Sequence, residues 1–97
     1  MNKLEIIALS HSNTTAKVSS APEVIHVTDY GTLEGRNGIV LYIKAEEGTF
    51  ATNSPAYIET FIQAVDALKE ARMALVIQHQ NNTSKNGRAY RLALPKV

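Results

Sequence analysis

The sequence predicts a mainly β domain with a single helix. Three observations carry this reading. Apolar runs of strand length recur along the chain, one segment alone repeats at helical spacing, and turns rich in Gly and Asn separate the runs. The 97 residues are enough for one domain, 1–97, around one core. A hydrophobic share of 44% with 20% charged residues suits a globular chain and argues against long-range disorder.

Lys3 to Leu9 reads as a strand: Leu4, Ile6 and Ala8 share one face, and the apolar Ile7 and Leu9 suggest that both faces are covered. Ser10 to Ser20 is polar and reads as a loop or as a solvated edge strand around Ala16 to Val18. After Pro22, the residues Val24, Ile25 and Val27 favour a strand over Glu23 to Thr28. Asp29 to Gly38 holds three glycines and reads as a turn-rich connection, with a hairpin closed at Asn37-Gly38. Ile39 to Lys44 is the clearest strand, with Ile39, Leu41 and Ile43 on one face and Val40, Tyr42 and Lys44 on the other. Glu46-Glu47-Gly48 is a tight polar turn, and Thr49 to Thr52 returns as a short strand with Phe50 on one face.

The helix begins at Ser54, a good N-cap, followed by Pro55 at the first helical position, where no backbone N–H is needed. Ile58, Phe61, Ile62, Val65 and Leu68 follow at helical spacing. Glu59, Gln63, Asp66 and Glu70 make the outer face acidic, unlike a membrane-surface helix. Met73 to Gln78 is an apolar strand, Asn81 to Gly87 a polar turn, and Arg88 to Leu94 the last strand, ended by Pro95. The order is β-β-β-β-α-β-β, give or take one N-terminal strand. It lies close to a small five-stranded OB-like barrel, whose helix falls between the third and fourth strands. An α+β open antiparallel sheet covered by one packed helix is the alternative.

Several chemistries lack their residues. There is no cysteine, hence no disulfide, thiol nucleophile or cysteine-bound zinc, and a cytoplasmic setting is expected. Met1 to Leu9 lacks the pattern of a signal peptide, and no run approaches a membrane span. His11, His26 and His79 share no metal-ligand spacing. Glu46 and Glu47 sit in a turn with side chains expected to diverge, whereas a two-carboxylate site needs facing groups. No serine lies in G-x-S-x-G, and Gly31, Gly35 and Gly38 do not form a phosphate-cradling loop. No enzyme activity, metal or cofactor is expected.

What remains is charge. The net value of +1 hides an asymmetry: residues 1–68 carry four Lys/Arg against eight Asp/Glu, and residues 69–97 carry six Lys/Arg against Glu70 alone. Such gathering suggests an anionic partner. Lys85 and Arg88 flank the Asn86-Gly87 turn as a positive hairpin tip, with Arg91 further along the strand. Tyr42 and Lys44 face outward together if Leu41 and Ile43 face the core. Tyr90 shares its parity with Arg88 but also with Leu92 and Leu94, so it reads as either a contact or a core residue. Cations for phosphates and aromatic faces for bases are the two needs of a single-strand binder. Tyr42, Lys44, Lys85, Arg88, Tyr90 and Arg91 form that candidate surface if the last hairpin lies beside the 39–44 strand.

The run Glu47-Gly48-Thr49-Phe50-Ala51-Thr52-Asn53-Ser54-Pro55, the amphipathic helix after it, and Thr83-Ser84-Lys85-Asn86-Gly87-Arg88-Ala89-Tyr90 resemble small single-stranded-DNA-binding proteins of bacteriophages that infect Gram-positive bacteria. The resemblance covers residues 39–94. It implies an OB-like fold, non-sequence-specific binding of single-stranded DNA in phage or mobile-element replication or recombination, and a homodimer or higher homo-oligomer. By the same analogy Lys85, Arg88 and Tyr90 would touch the strand. A small accessory or inhibitor protein that binds another protein is the alternative.

Overall fold

A computed structural model describes residues 1–97. The chain runs α1 (Lys3–Ser10), β1 (Ala16–Lys17), a 3-10 turn (Val18–Ser20), β2 (Val24–Gly35), β3 (Gly38–Ala45), β4 (Gly48–Thr52), α2 (Pro55–Glu70), β5 (Val76–Thr83) and β6 (Ala89–Pro95). The six strands form one sheet in the order β1-β4-β3-β2-β5-β6, curled into a half-barrel. All neighbours are antiparallel except β1, which runs parallel to β4. The mainly β expectation holds. The six strands agree in number with the expected β-β-β-β-α-β-β order, whereas the single helix is corrected to two α-helices and the five-stranded barrel to a six-stranded sheet.

The curl has a local cause. Val24 to His26 of β2 pair with β5, while Val27 to Gly35 pair with β3. The register shifts between Val27 and Asp29, leaving Thr28 as the extra residue of a bulge. A bulge bends its strand and raises the local twist. A single strand of 12 residues thus carries the sheet around its corner.

α2 fills the concave face. The Ser54 hydroxyl accepts the Tyr57 N–H at 3.4 Å, and Pro55 opens the helix as expected. Its buried stripe is Tyr57, Phe61, Ala64, Val65 and Leu68, with Ile58 and Ile62 half-buried at the margin. Ile25, Val27, Leu41, Ile43, Phe50, Ile77 and Ala93 meet it from the sheet. Each large aliphatic or aromatic side chain taken fully out of water contributes roughly 1.5–3 kcal/mol, so this layer holds the domain together.

The N-terminal segment corrects the sequence reading: the strand expected at Lys3 to Leu9 is helix α1. Asn2 caps it by accepting the Glu5 N–H at 2.9 Å. Apolar residues at nearly every position of a short run carry no period, so strand and helix cannot be told apart by pattern; the cap decides. α1 lies on the convex face and buries only Ile6. Gly31 of β2 makes this approach possible, because a Cβ there would stand 2.6 Å from Ile6 Cδ1. The Met1 amino group pairs with Asp29 at 2.7 Å and fixes the start of the chain to β2.

β5 also runs further than its apolar residues, through the polar stretch Gln78 to Thr83. Pairing with β6 satisfies that backbone, so its exposed side chains need no apolar signal.

Candidate nucleic-acid interface

β1 and β6 stand at the two ends of the sheet order and do not pair. Between them the half-barrel leaves a seam, and the seam forms a groove of about 550 Å³. Lys17, Ser19, Asn53, Tyr57, Tyr90 and Arg91 line it, and none of its twelve lining residues is acidic.

Arg91 crosses the seam. Its Nη1 donates to the carbonyl oxygens of Val18 at 3.0 Å and Ala21 at 2.6 Å, and its Nε donates to Asn81 Oδ1 at 2.8 Å. One guanidinium thereby ties β6 and β5 to the turn that follows β1. This corrects the expectation of a free basic contact: Arg91 lies on the inward parity of β6, with the buried Ala93, and three of its N–H donors are committed, two to main-chain oxygens and one to Asn81.

His79 lies beneath it, buried. Its Nδ1 sits 2.7 Å from the Pro22 carbonyl, which can only accept, so Nδ1 carries the proton and Nε2 accepts the Tyr57 hydroxyl at 2.7 Å. Burial pushes the His79 pKa below its ordinary 6.5; the hydrogen bond to Pro22 opposes this and the nearby Arg91 charge adds to it. Burial also raises the Tyr57 hydroxyl well above its usual range. Tyr57, which lines the groove, and the buried His79 behind it thus form a neutral pair beside Arg91, a cation with no carboxylate partner.

The hairpin tip is different. Ser84 Oγ accepts the Arg88 N–H at 3.1 Å, the Ser84 N–H donates to the Arg88 carbonyl at 2.8 Å, and the Gly87 N–H donates to the Ser84 carbonyl at 2.9 Å. Gly87 has φ +78°, a conformation that favours glycine. The backbone of the turn is thus well tied. The side chains of Lys85 and Arg88 are exposed and make no hydrogen bond or ion pair. Tyr90 is 41% exposed at the groove and is a surface residue, not a core one.

Two further expectations are corrected. Tyr42 is 7% exposed, because α1 covers its face of the sheet opposite Gly31. Lys44, on the same face, is half-buried with its Nζ 3.2 Å from Glu5 Oε2. The last hairpin, β5–β6, does not lie beside β3; β2 intervenes. Of the six expected residues, the structure groups Tyr90 and Arg91 at the groove, with Lys85 and Arg88 at the adjoining tip, and separates Tyr42 and Lys44 from them.

Lys17, Tyr57 and His79 escaped the sequence reading. Lys17 had a signal, the edge strand suspected at Ala16 to Val18. Tyr57 had a weaker one, lying one helical turn before Phe61. His79 had none, since its partners come from α2 and from the residues before β2.

Elsewhere, Glu47 accepts the His26 backbone N–H at 2.7 Å and lies 2.6 Å from His26 Nδ1. The ligand atoms of His26, Glu46 and Glu47 lie within 4.8 Å of one another, which corrects the expectation of diverging carboxylates. The hydrogen bond from Glu47 raises the His26 pKa. This exposed cluster ties the β3–β4 turn to β2.

No helix is long and apolar enough to cross a membrane. Compared with protein-family models, with curated proteins and with solved structures, the chain matches none.

Proposed function

We propose that this chain binds single-stranded DNA without sequence preference, the strand running from the β5–β6 tip into the seam. The observation that carries the proposal is the exposed Tyr90 ring, set between the uncommitted cations Lys85 and Arg88 and a groove that holds Lys17 and no carboxylate. Cations neutralise phosphates and release counterions, and an aromatic face stacks on any base, so the pair gives affinity without reading sequence. A curled β-rich sheet with a ligand groove suits the OB-like reading. The resemblance of residues 39–94 adds a role in phage or mobile-element replication or recombination, in the host cytoplasm and as a homo-oligomer.

A fluorescence-anisotropy titration with labelled oligothymidine at two salt concentrations tests this. Binding at low salt that weakens as salt rises, by about 0.7 in log–log slope per neutralised phosphate, supports it. Absence of binding at low salt, or binding insensitive to salt, defeats it.

A second reading, capture of a protein strand, has one observation behind it. The bonds Ser84 N–H to Arg88 O and Lys96 N–H to Val76 O set the pairing so that Ala89, Arg91 and Ala93 point their backbone groups away from β5. That edge is short: Thr60 Oγ1 already accepts the Ala93 N–H at 3.0 Å, and Pro95 has no N–H. A pull-down after nuclease treatment separates the readings: partners that persist favour the second, and partners that vanish favour the first.

A further inference from the structure

We propose that protonation of His79 converts Arg91 from a staple across the seam into a cation presented to the anionic strand. The ligand half of this inference rests on the single-stranded-DNA reading; the structural half does not.

Both ring nitrogens of His79 are in use. Nδ1–H donates to the Pro22 carbonyl and Nε2 accepts the Tyr57 hydroxyl. A second proton can only go on Nε2, which then becomes a donor facing another donor. The Tyr57 hydroxyl would have to turn and accept, losing the acceptor for its own proton. The ring cannot turn to water, because the residue is 5% exposed.

The new charge would also lie close to an existing one, since Arg91 Nη1 is 3.5 Å from His79 Nδ1. The groups around the ring offer nothing to offset it. α2 contributes Tyr57, β6 contributes Arg91, and the segment before β2 contributes the Pro22 carbonyl and the Glu23 carbonyl, which accepts the His79 N–H. No carboxylate hydrogen-bonds to His79 or pairs with Arg91. Like charges at this range with no counter-charge repel strongly.

Of the two cations, Arg91 is the one that can leave. His79 is enclosed, whereas Arg91 is half-buried and already lines the groove. Its departure releases the Val18 and Ala21 carbonyls, loosens the turn after β1 from β6, and adds one phosphate-reaching group beside Tyr90 and Lys17. The burial that lowers the His79 pKa keeps the staple closed at neutral pH and places its opening on the acid side.

The test begins without ligand. An NMR titration of the full chain from about pH 8 to about pH 5 follows the His79 ring, the Arg91 Nε–H signal and the Ala21 amide. The proposal expects one shared midpoint below 6.5, with the Arg91 and Ala21 movements absent in His79→Gln. Titration of His79 while Arg91 stays fixed would overturn it, and this comparison needs only the unaltered protein. So would an Arg91 movement that persists in His79→Gln.

The second arm measures oligothymidine affinity against salt at both pH values. One added phosphate contact steepens the log–log slope by about 0.7 at the acid pH, and His79→Gln removes that increment. An equal increment in both proteins overturns the ligand half. Failure to bind oligothymidine at either pH defeats the DNA reading and leaves the switch to be judged by the first arm.

Discussion

The tip and the root of the β5–β6 hairpin carry the same kind of charge and use it in opposite ways. At the tip, Lys85 and Arg88 stand on a backbone tied by Ser84 and Gly87, and their side chains have no partner. At the root, three residues beyond Arg88, Arg91 reaches two carbonyls that lie 73 and 70 residues earlier in the chain. The tip spends backbone bonds to hold its cations outward, and the root spends a cation to hold the backbone. A positive residue near a ligand groove is thus not by itself a ligand contact; its hydrogen-bond partners decide.

If this contrast is right, substitutions at the two places separate stability from affinity. The largest effect is expected at the root. Arg91→Ala leaves the Ala21 carbonyl without its donor, takes one of two donors from the Val18 carbonyl, which keeps the Ala21 N–H, and removes the bond to Asn81, a loss of about 3 kcal/mol in denaturant-unfolding stability. A loss below the scatter of ordinary surface substitutions would mean that the staple is not structural.

Tyr57→Phe comes next. It removes the hydroxyl that His79 Nε2 accepts and keeps the ring, so the expected loss is about 1–3 kcal/mol, read by the same measurement. The His79 pKa should also rise towards neutral if water then reaches the ring, which an NMR titration would report.

The pH dependence of stability sharpens the comparison further. His79 has a lowered pKa, so the unfolded chain binds the proton first: its contribution is complete above 6.5 and is lost as pH falls towards the folded-state value. His26 has a raised pKa, so its pairing with Glu47 contributes fully below 6.5 and is lost as pH rises through the folded-state value. The two opposed trends predict a stability maximum near pH 6.5, with the acid limb due to His79. Thermal melts across this range should show that limb flattened in His79→Gln, and the screened alkaline limb flattened in His26→Gln.

The smallest stability effect belongs to the tip: Lys85→Ala and Arg88→Ala should each change stability by less than about 0.5 kcal/mol.

The parts of the fold legible in the sequence were those whose physical cause is local. Ser54-Pro55 and the spacing from Ile58 to Leu68 announce α2, and the alternation from Ile39 to Lys44 with the Glu46-Glu47-Gly48 turn announces β3 and β4. α1 was legible only through its cap, Asn2 with Glu5 three residues on, because its apolar residues have no period. Strand parity correctly put Tyr42 and Lys44 opposite Leu41 and Ile43. It could not say that α1 covers that second face, since the cover depends on Gly31 letting Ile6 approach. The exposure of Lys85 and Arg88 was legible because a hairpin tip owes little to the rest of the chain, whereas strand parity left Tyr90 open between contact and core. Arg91 and His79 were not, since their partners come from distant segments.

In the proposed function the anionic strand is held by Lys85 and Arg88, the uncommitted cations of the tip. The most direct measurement is the salt dependence of oligothymidine binding for the double variant Lys85→Ala/Arg88→Ala beside the unaltered protein. Two lost phosphate contacts should make the log–log slope shallower by about 1.4, with affinity reduced and stability unchanged. An unchanged slope at unchanged stability would contradict the claim.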